Sequence, residues 1–273
     1  MSQGPMLVIN LERRPDRMAR FSATNGFLSR LQRFPACDGR SVDRERLIAE
    51  GTIDARITCT SGALGCALSH RAVWLQALEK GDTTVFEDDA VVNGNFEAQT
   101  QRLIAQLPPV WDIIYWGWNF DVPVVVDLLP GVGPVVMHCS QSSLRQGLQQ
   151  FQALDLSPRL MRLLRFCGAL AYTVSARGAE RLLRGCFPLM PDFYGIDLAM
   201  ARLAPTMNAA VALPPLAVSP NDDSETQPER FNQFGTSDSA PRWPAPTPGQ
   251  DSYERIGGEI VFRHPRHRLS SSS

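Results

Sequence analysis

The sequence predicts an α/β fold: an open, mostly parallel sheet with helices on both faces. Short apolar runs alternate with stretches of helical apolar spacing from residue 6 to residue 117, and again from 168 to 203. The 273 residues suffice for one large domain or two small ones. A composition of 44% hydrophobic and 20% charged residues is that of a globular chain and excludes collagen-like, coiled-coil and wholly disordered readings. The 27 basic and 28 acidic side chains leave a net charge of -1, so no global field recommends nucleic acid or an anionic membrane as partner. Any anion site has to be local.

Met6 to Asn10 reads as a strand. Arg13 to Leu31 follows as a helix, from the spacing of Met18, Phe21, Leu28 and Leu31. A second strand, Arg33 to Cys37, ends at Asp38-Gly39. Ser61 to Leu78 is a long helix, with Ser61 as its expected cap. Thr83 to Phe86 is a strand, Asn95 to Leu107 a helix and Asp112 to Gly117 an aromatic strand. Valine-rich strands at Val122 to Val126 and Val132 to Met137 then precede a polar, weakly helical stretch, Ser140 to Leu164, so that 119–165 reads as a variable insertion in a domain covering 1–220. Regularity resumes with a β-type run at Gly168 to Ser175 and helices at Ala176 to Arg184 and Ile196 to Leu203. Prolines crowd residues 213 to 250, so the tail, 221–273, is expected to be extended or disordered.

The six cysteines, at 37, 59, 66, 139, 167 and 186, form no CxxC pair and lie in apolar surroundings, which predicts buried free thiols. His264 and His267 have no third ligand nearby, so no metal is expected there. The run Met6 to Ile9 is far too short for a leader or a span. The expectation is a cytoplasmic protein without a transmembrane segment, in peripheral contact at most with a lipid-linked substrate at the inner face of the membrane.

The sharpest chemistry is Phe86-Glu87-Asp88-Asp89-Ala90, three acids directly after an apolar strand. On an extended chain Glu87 and Asp89 would point one way and Asp88 the other. Two acids on one face repel unless a cation or donors share them, and a hard divalent ion, Mg2+ or Mn2+, suits oxygen ligands. An acidic turn neutralised by solvent or a helix dipole is the alternative. Arg13, Arg14 and Arg17 lie in the first turns of the first helix, where positive charge opposes the dipole. Either they form a solvated face, with Glu12 and Asp16 compensating, or Arg13 and Arg17 grip a diphosphate. The first βα turn lacks GxGxxG, which argues against a nicotinamide-type dinucleotide.

Four pieces in order, Val8-Ile9-Asn10-Leu11 with Arg13 to Arg17, Ala36-Cys37-Asp38-Gly39, Gly65-Cys66-Ala67-Leu68-Ser69-His70 and Phe86-Glu87-Asp88-Asp89-Ala90, resemble the lipooligosaccharide glycosyltransferases of family 25. Asp112 to Gly117, Gly168 to Ser175 with Gly178-Ala179, and Pro191 to Asp197 extend the likeness to residues 6 to 220. The resemblance implies an A-type glycosyltransferase fold and inverting transfer of a hexose, commonly galactose, from a UDP-sugar to a glycan acceptor in surface glycan synthesis. The family also includes collagen galactosyltransferases. It further implies that Glu87-Asp88-Asp89 stands where such enzymes carry a DxD-like motif, with Asp89 and Glu87 as metal ligands. By the same likeness Asn10, Arg13, Arg17, Asp38, Gly39, Ser69, His70 and Asp88 fall in the donor-binding region.

Inverting transfer also needs a base on the acceptor side, for which Asp197 and Asp192 are the candidates, Asp197 preferred. Asp197 could instead cap a helix or bind metal or sugar. On an amphipathic helix His70 could equally be a packed core residue. Trp116, Trp118, Phe193 and Tyr194 are candidates for stacking on a sugar, but core packing is the expected role for most of them; Trp118, nearest the end of its strand, is the one singled out for stacking as the alternative. Competing expectations are a degenerate sugar-nucleotide-binding protein on the same fold and a metal-dependent phosphohydrolase or nucleotidyltransferase.

Overall fold

Strands and helices alternate along the first half of the chain. In the computed structural model the described residues are 4–118, 123–129, 132–138, 147–220, 252–256 and 259–263. Met6–Asn10 is β1, Pro15–Asn25 α1 and Leu31–Pro35 β2. Arg44–Ala49 is α2 and Ser61–Lys80 is α3. Thr83–Glu87 is β3, Val91–Val92 β4, Phe96–Ile104 α4 and Ile113–Gly117 β5. Val124–Leu129 is β6, Gly133–Met137 β7, Leu148–Ala153 α5 and Arg159–Arg165 β8. Ala171–Val174 is β9, Ala176–Cys186 α6 and Ile196–Leu203 α7. Ala209–Leu213 is β10, Ala217–Val218 β11, Ser252–Ile256 β12 and Glu259–Arg263 β13.

Nine strands form one sheet in the order β2-β1-β3-β9-β5-β10-β8-β6-β7. β2, β1, β3, β5, β10 and β6 share one direction, while β9, β8 and β7 run against them, so the sheet is mixed with most strands parallel in sense. Both faces are covered, as the continuous apolar runs require. Met6 and Val8 of β1 join Phe21, Leu28 and Phe96 on the side of α1 and α4. Leu7 and Ile9 join Leu64, Ala67, Val73 and Trp74 on the side of α3, where Leu182 and Met200 bring in α6 and α7.

The stretch expected to be an insertion contributes to this sheet. Arg159–Arg165, read from the sequence as part of a weakly helical segment, is a strand paired on one side with β10 and on the other with β6. Leu163 is fully buried there. Two neighbouring strands offer it a complete set of backbone partners, and such tertiary pairing overrides a weak local preference. In the tail, β12 and β13 pair as an antiparallel hairpin. This tail forms a unit separate from residues 1–226.

β2 and β3 flank β1 on opposite sides, so the chain reverses its direction of winding at β1. An open α/β sheet binds ligands beyond the carboxyl ends of its strands at such a point. Asn10 ends β1, and Ile9 is in register with Glu87 at the end of β3. Two other joints hold this edge. Asn25, fully buried at the end of α1, donates to Ala90 O at 2.8 Å and accepts from Val92 N at 2.9 Å, fastening the chain after the acids.

The loop after β2 lies directly on α3. A Cβ on Gly65 would come 2.5 Å from Cys37 O and 2.7 Å from Gly39 N, and one on Gly39 would come 1.9 Å from Ser61 O. Ser69 pins the same contact, accepting from Cys37 N at 2.8 Å and donating to Gly65 O at 2.6 Å. Gly65→Ala is therefore expected to lower stability by about 1–3 kcal/mol through forced backbone displacement. Denaturant melts of the two proteins check this, and equal midpoints would contradict the contact. The cap lies one residue before the expected one: Thr60, not Ser61, accepts from Ala63 N.

Candidate functional site

The acidic triplet does not continue the strand. Asp88 and Asp89 form a turn, so the alternation expected of an extended chain ends at Glu87. The turn distributes the three carboxylates among three environments. Asp88 is matched: Arg17 Nε donates to Oδ1 at 2.7 Å and Asn10 Nδ2 to Oδ2 at 2.7 Å. Asn10 is itself fixed, since Arg33 Nε donates to its Oδ1 at 3.0 Å and its amide also reaches Arg14 O at 3.0 Å. Arg33 was not among the sequence candidates, because nothing along β2 marks which side chain reaches across to β1.

Asp89 is less well matched. Arg17 lies 3.8 Å from its Oδ2 and Ser219 hydrogen-bonds the carboxylate, yet the buried Oδ1 has no hydrogen-bond partner. Burial, with the neighbouring Glu87 charge, pushes this carboxyl up to about 7. Glu87 turns instead toward α3, its Oε1 3.7 Å from His70 Nε2.

His70 is 1% exposed. Its Nδ1 hydrogen-bonds Tyr172 Oη at 2.8 Å, and Trp74 Nε1 donates to the same phenol at 2.9 Å. Its Nε2 has no hydrogen-bond partner. Tyr172 and Trp74 also escaped the sequence reading. Trp74 stands one turn beyond His70 on α3, which in retrospect was the available signal.

Asp197, half-buried in the first turn of α7, accepts from Cys167 Sγ at 3.0 Å. Burial holds its carboxyl above the usual range, and the Glu87 charge adds to this. The Cys66 thiol is raised by burial and, in smaller measure, by the charges of Glu87, Asp197, Asp89 and Asp88. Asp192, the other candidate base, is exposed and ion-paired with Arg202 at 2.9 Å.

The other candidates have contacts of their own. Arg13 and Arg40 clasp Asp38 at 2.9 and 2.6 Å, which holds its carboxyl well below the usual carboxylate range. Gly39 and Ser69 serve the packing of the loop on α3 described above. Trp116 and Trp118 are 0% and 2% exposed, and Trp116 Nε1 donates to Thr173 Oγ1 at 2.7 Å, so both are core residues. Phe193 is buried, whereas Tyr194 is 72% exposed beside Gly195 and Asp197. An open cavity of about 430 Å³ adjoins Asn10, lined by Glu12, Pro15, Met18, Ala19, Ser22 and Arg33. Five cysteines are free, and Cys139 lies outside the described residues. No helix among the described residues is long and apolar enough to cross a membrane.

The Arg17–Asp88 ion pair is largely buried, with side chains 10% and 11% exposed. Arg17→Met would strand a buried carboxylate and is expected to destabilise by about 3–5 kcal/mol. Pairing that change with Asp88→Asn should recover most of the loss. A double-mutant cycle by chemical denaturation measures it, and simple additivity would show the two side chains to be uncoupled.

Beside this geometry stand the relatives of the sequence. Residues 3–194 match the family described as Glycosyltransferase family 25 (LPS biosynthesis protein). The chain is 28% identical to a mouse protein named "Inactive glycosyltransferase 25 family member 3", over 98% of this chain and 44% of the relative. It is 29% identical to a rat protein named "Probable inactive glycosyltransferase 25 family member 3", over 79% of this chain and 38% of the relative. Against "Glycosyltransferase 25 family member" of Drosophila melanogaster it is 28% identical over 43% of this chain and 21% of the relative. It thus spans less than half the length of these relatives. With the match running through the arginines, the loop on α3, the acidic turn and the strands that carry them, the chain belongs to glycosyltransferase family 25.

Proposed function

We propose that this chain is an active, metal-dependent inverting glycosyltransferase that moves a hexose, galactose by the family likeness, from a UDP-sugar to a glycan hydroxyl in lipopolysaccharide or another surface glycan. One observation carries the reading. Of two adjacent acids, Asp88 is ion-paired with Arg17 and accepts a hydrogen bond from Asn10, while Asp89 keeps a buried oxygen without a hydrogen-bond partner and a raised pKa. Packing alone gives no reason to retain such a carboxylate, because an unmatched buried acid is destabilising. A divalent cation, Mn2+ or Mg2+, matches it.

The residues that would hold the cation are Asp89 and, by the family likeness, Glu87, the last residue of β3, whose carboxylate would swing from His70 toward the turn. When bound, it supplies Lewis acidity to the departing diphosphate. The protein's own share of the reaction follows from the described contacts. Arg17, held by Asp88, presents fixed positive charge beside the acidic turn, where diphosphate charge develops. Asn10, locked by Arg33, keeps Asp88 in place beside the switch point of the sheet. Asp197 takes the proton from the acceptor hydroxyl, its raised pKa bringing it toward the range useful for a general base. Exposed Tyr194, three residues before Asp197, offers an aromatic face to a sugar.

A second reading has its own support: the mouse and rat relatives are named inactive and probable inactive. On that reading the chain binds sugar nucleotides without turnover, or serves as an interaction protein. Calorimetric titration with UDP-, GDP- and CMP-sugars, with and without manganese, followed by transfer assays on glycan acceptors, separates the two. The proposal expects manganese-dependent binding of one UDP-sugar and transfer of its hexose. Binding without transfer to any acceptor would support the degenerate reading, and release of free sugar without acceptor would indicate a hydrolase.

A further inference from the structure

Glu87 has a second set of neighbours besides the acidic turn. Cys66 and His70 are four residues apart on α3 and so share one face of the helix. The ligand atoms of Cys66, His70 and Glu87 all lie within 4.8 Å of one another, with His70 Nε2 and Glu87 Oε1 3.7 Å apart. Zinc bonds of ordinary length at tetrahedral angles put such atoms roughly 3.4–3.6 Å apart, so modest side-chain movement closes the set. His70 Nε2 is the independent pointer: it is buried, aimed into this cluster and without a hydrogen-bond partner.

From this geometry we infer that Cys66, His70 and Glu87 form a binding site for a zinc-type transition-metal ion, different in donor chemistry from the oxygen-ligand cation proposed at Asp89 and sharing Glu87 with it. The donor set decides the metal class. Thiolate and imidazole select zinc or cobalt over magnesium and manganese, which prefer oxygen. Three protein ligands leave a fourth position for an oxygen ligand, and the Glu87 side chain, 32% exposed, gives the site access to solvent.

The surroundings of His70 complete the arrangement. A metal-bound histidine generally has its other ring nitrogen held by a hydrogen bond, here from Nδ1 to the Tyr172 phenol. The phenol oxygen accepts from both Trp74 Nε1 and His70 Nδ1 once zinc takes the Nε2 lone pair. Binding also displaces the Cys66 thiol proton to solvent, leaving thiolate on the metal.

The site is independent of donor chemistry, so its test does not require turnover. The full chain is incubated with zinc, freed of excess metal by gel filtration and analysed for metal content. A parallel sample takes Co2+, whose thiolate charge-transfer band reports a bound cysteine. One zinc per chain and a cobalt-thiolate band are expected, both lost in Cys66→Ser with the circular dichroism unchanged. Asp89→Asn should keep both signals, and Tyr172→Phe should weaken zinc about 10–100-fold, the scale for removing a hydrogen bond to a metal-bound histidine. Absence of zinc and cobalt binding in the wild type would overturn the inference. So would zinc retained in folded Cys66→Ser, and zinc lost in Asp89→Asn but not in Cys66→Ser would assign the ion to the acidic turn instead. Failure of the donor titrations alongside a positive cobalt spectrum would refute the transferase reading and leave the zinc site standing.

Discussion

Asp89→Asn is expected to abolish transfer while making the metal-free protein more stable above neutral pH. Activity should fall by at least about 10²–10³-fold, the scale for losing one electrostatic contact to charge developing in a transition state. The stability effect has the opposite sign. Asp89 is raised in the folded protein from an ordinary carboxylate value to about 7. Between the two values the folded state binds more protons than the unfolded one, so this group makes stability fall as pH rises through that window. Below the unfolded value both states are protonated and Asn gains nothing. Above about 7 the wild type carries a buried charge that Asn lacks, a difference on the order of 1–4 kcal/mol. Melting temperatures of wild type and variant, in a chelating agent, should therefore coincide near pH 4 and diverge toward pH 8, with the variant higher. Added manganese should raise the wild type and leave the variant unmoved. Parallel curves across this range would show that Asp89 is not the strained acid, and retained turnover would remove its metal role. Gain of stability on loss of a functional charge is a common trade at active sites.

Asp197→Asn carries the second large effect. As a general base it would contribute about 10²–10⁴-fold to kcat, and the amide cannot accept the proton. The donor KM should change little, because the carboxylate is bound by Cys167 and by backbone amides at the start of α7. Steady-state kinetics over a range of donor and acceptor concentrations separates the terms. Collapse of donor affinity with kcat preserved would make Asp197 a binding residue. Asp192→Asn is the matched control: its surface pair with Arg202 predicts rates close to wild type.

The order of strands and helices was legible because apolar periodicity is a local property. The strand at 6–10, the helices near 61–80, 176–186 and 196–203, and the acids after β3 follow from it directly. Asn10, Arg17, Asp88, Asp89 and Asp197 became candidates through the family resemblance, carried by motifs in one order. β8 was not legible, since its pairing partners β6 and β10 come from distant parts of the chain. Nor was the division of labour among the three acids. The alternation rule for an extended chain failed one residue past Glu87, where the backbone turns and delivers Asp88 to Arg17 and Asn10, 71 and 78 residues away.

Ser69 and Gly39 show the same boundary from the other side. They lie within motifs that suggested ligand contact, but their positions are set by the approach of a loop to a helix at van der Waals limits. Sequence by itself determined the family, the α/β alternation and the presence of clustered carboxylates at a strand end. Tertiary structure decided which carboxylate is neutralised, which is left with a buried, unmatched oxygen, and which faces a histidine held by Tyr172. Charge compensation and burial depend on distances between segments far apart in the chain, and those distances exist only once the sheet has formed.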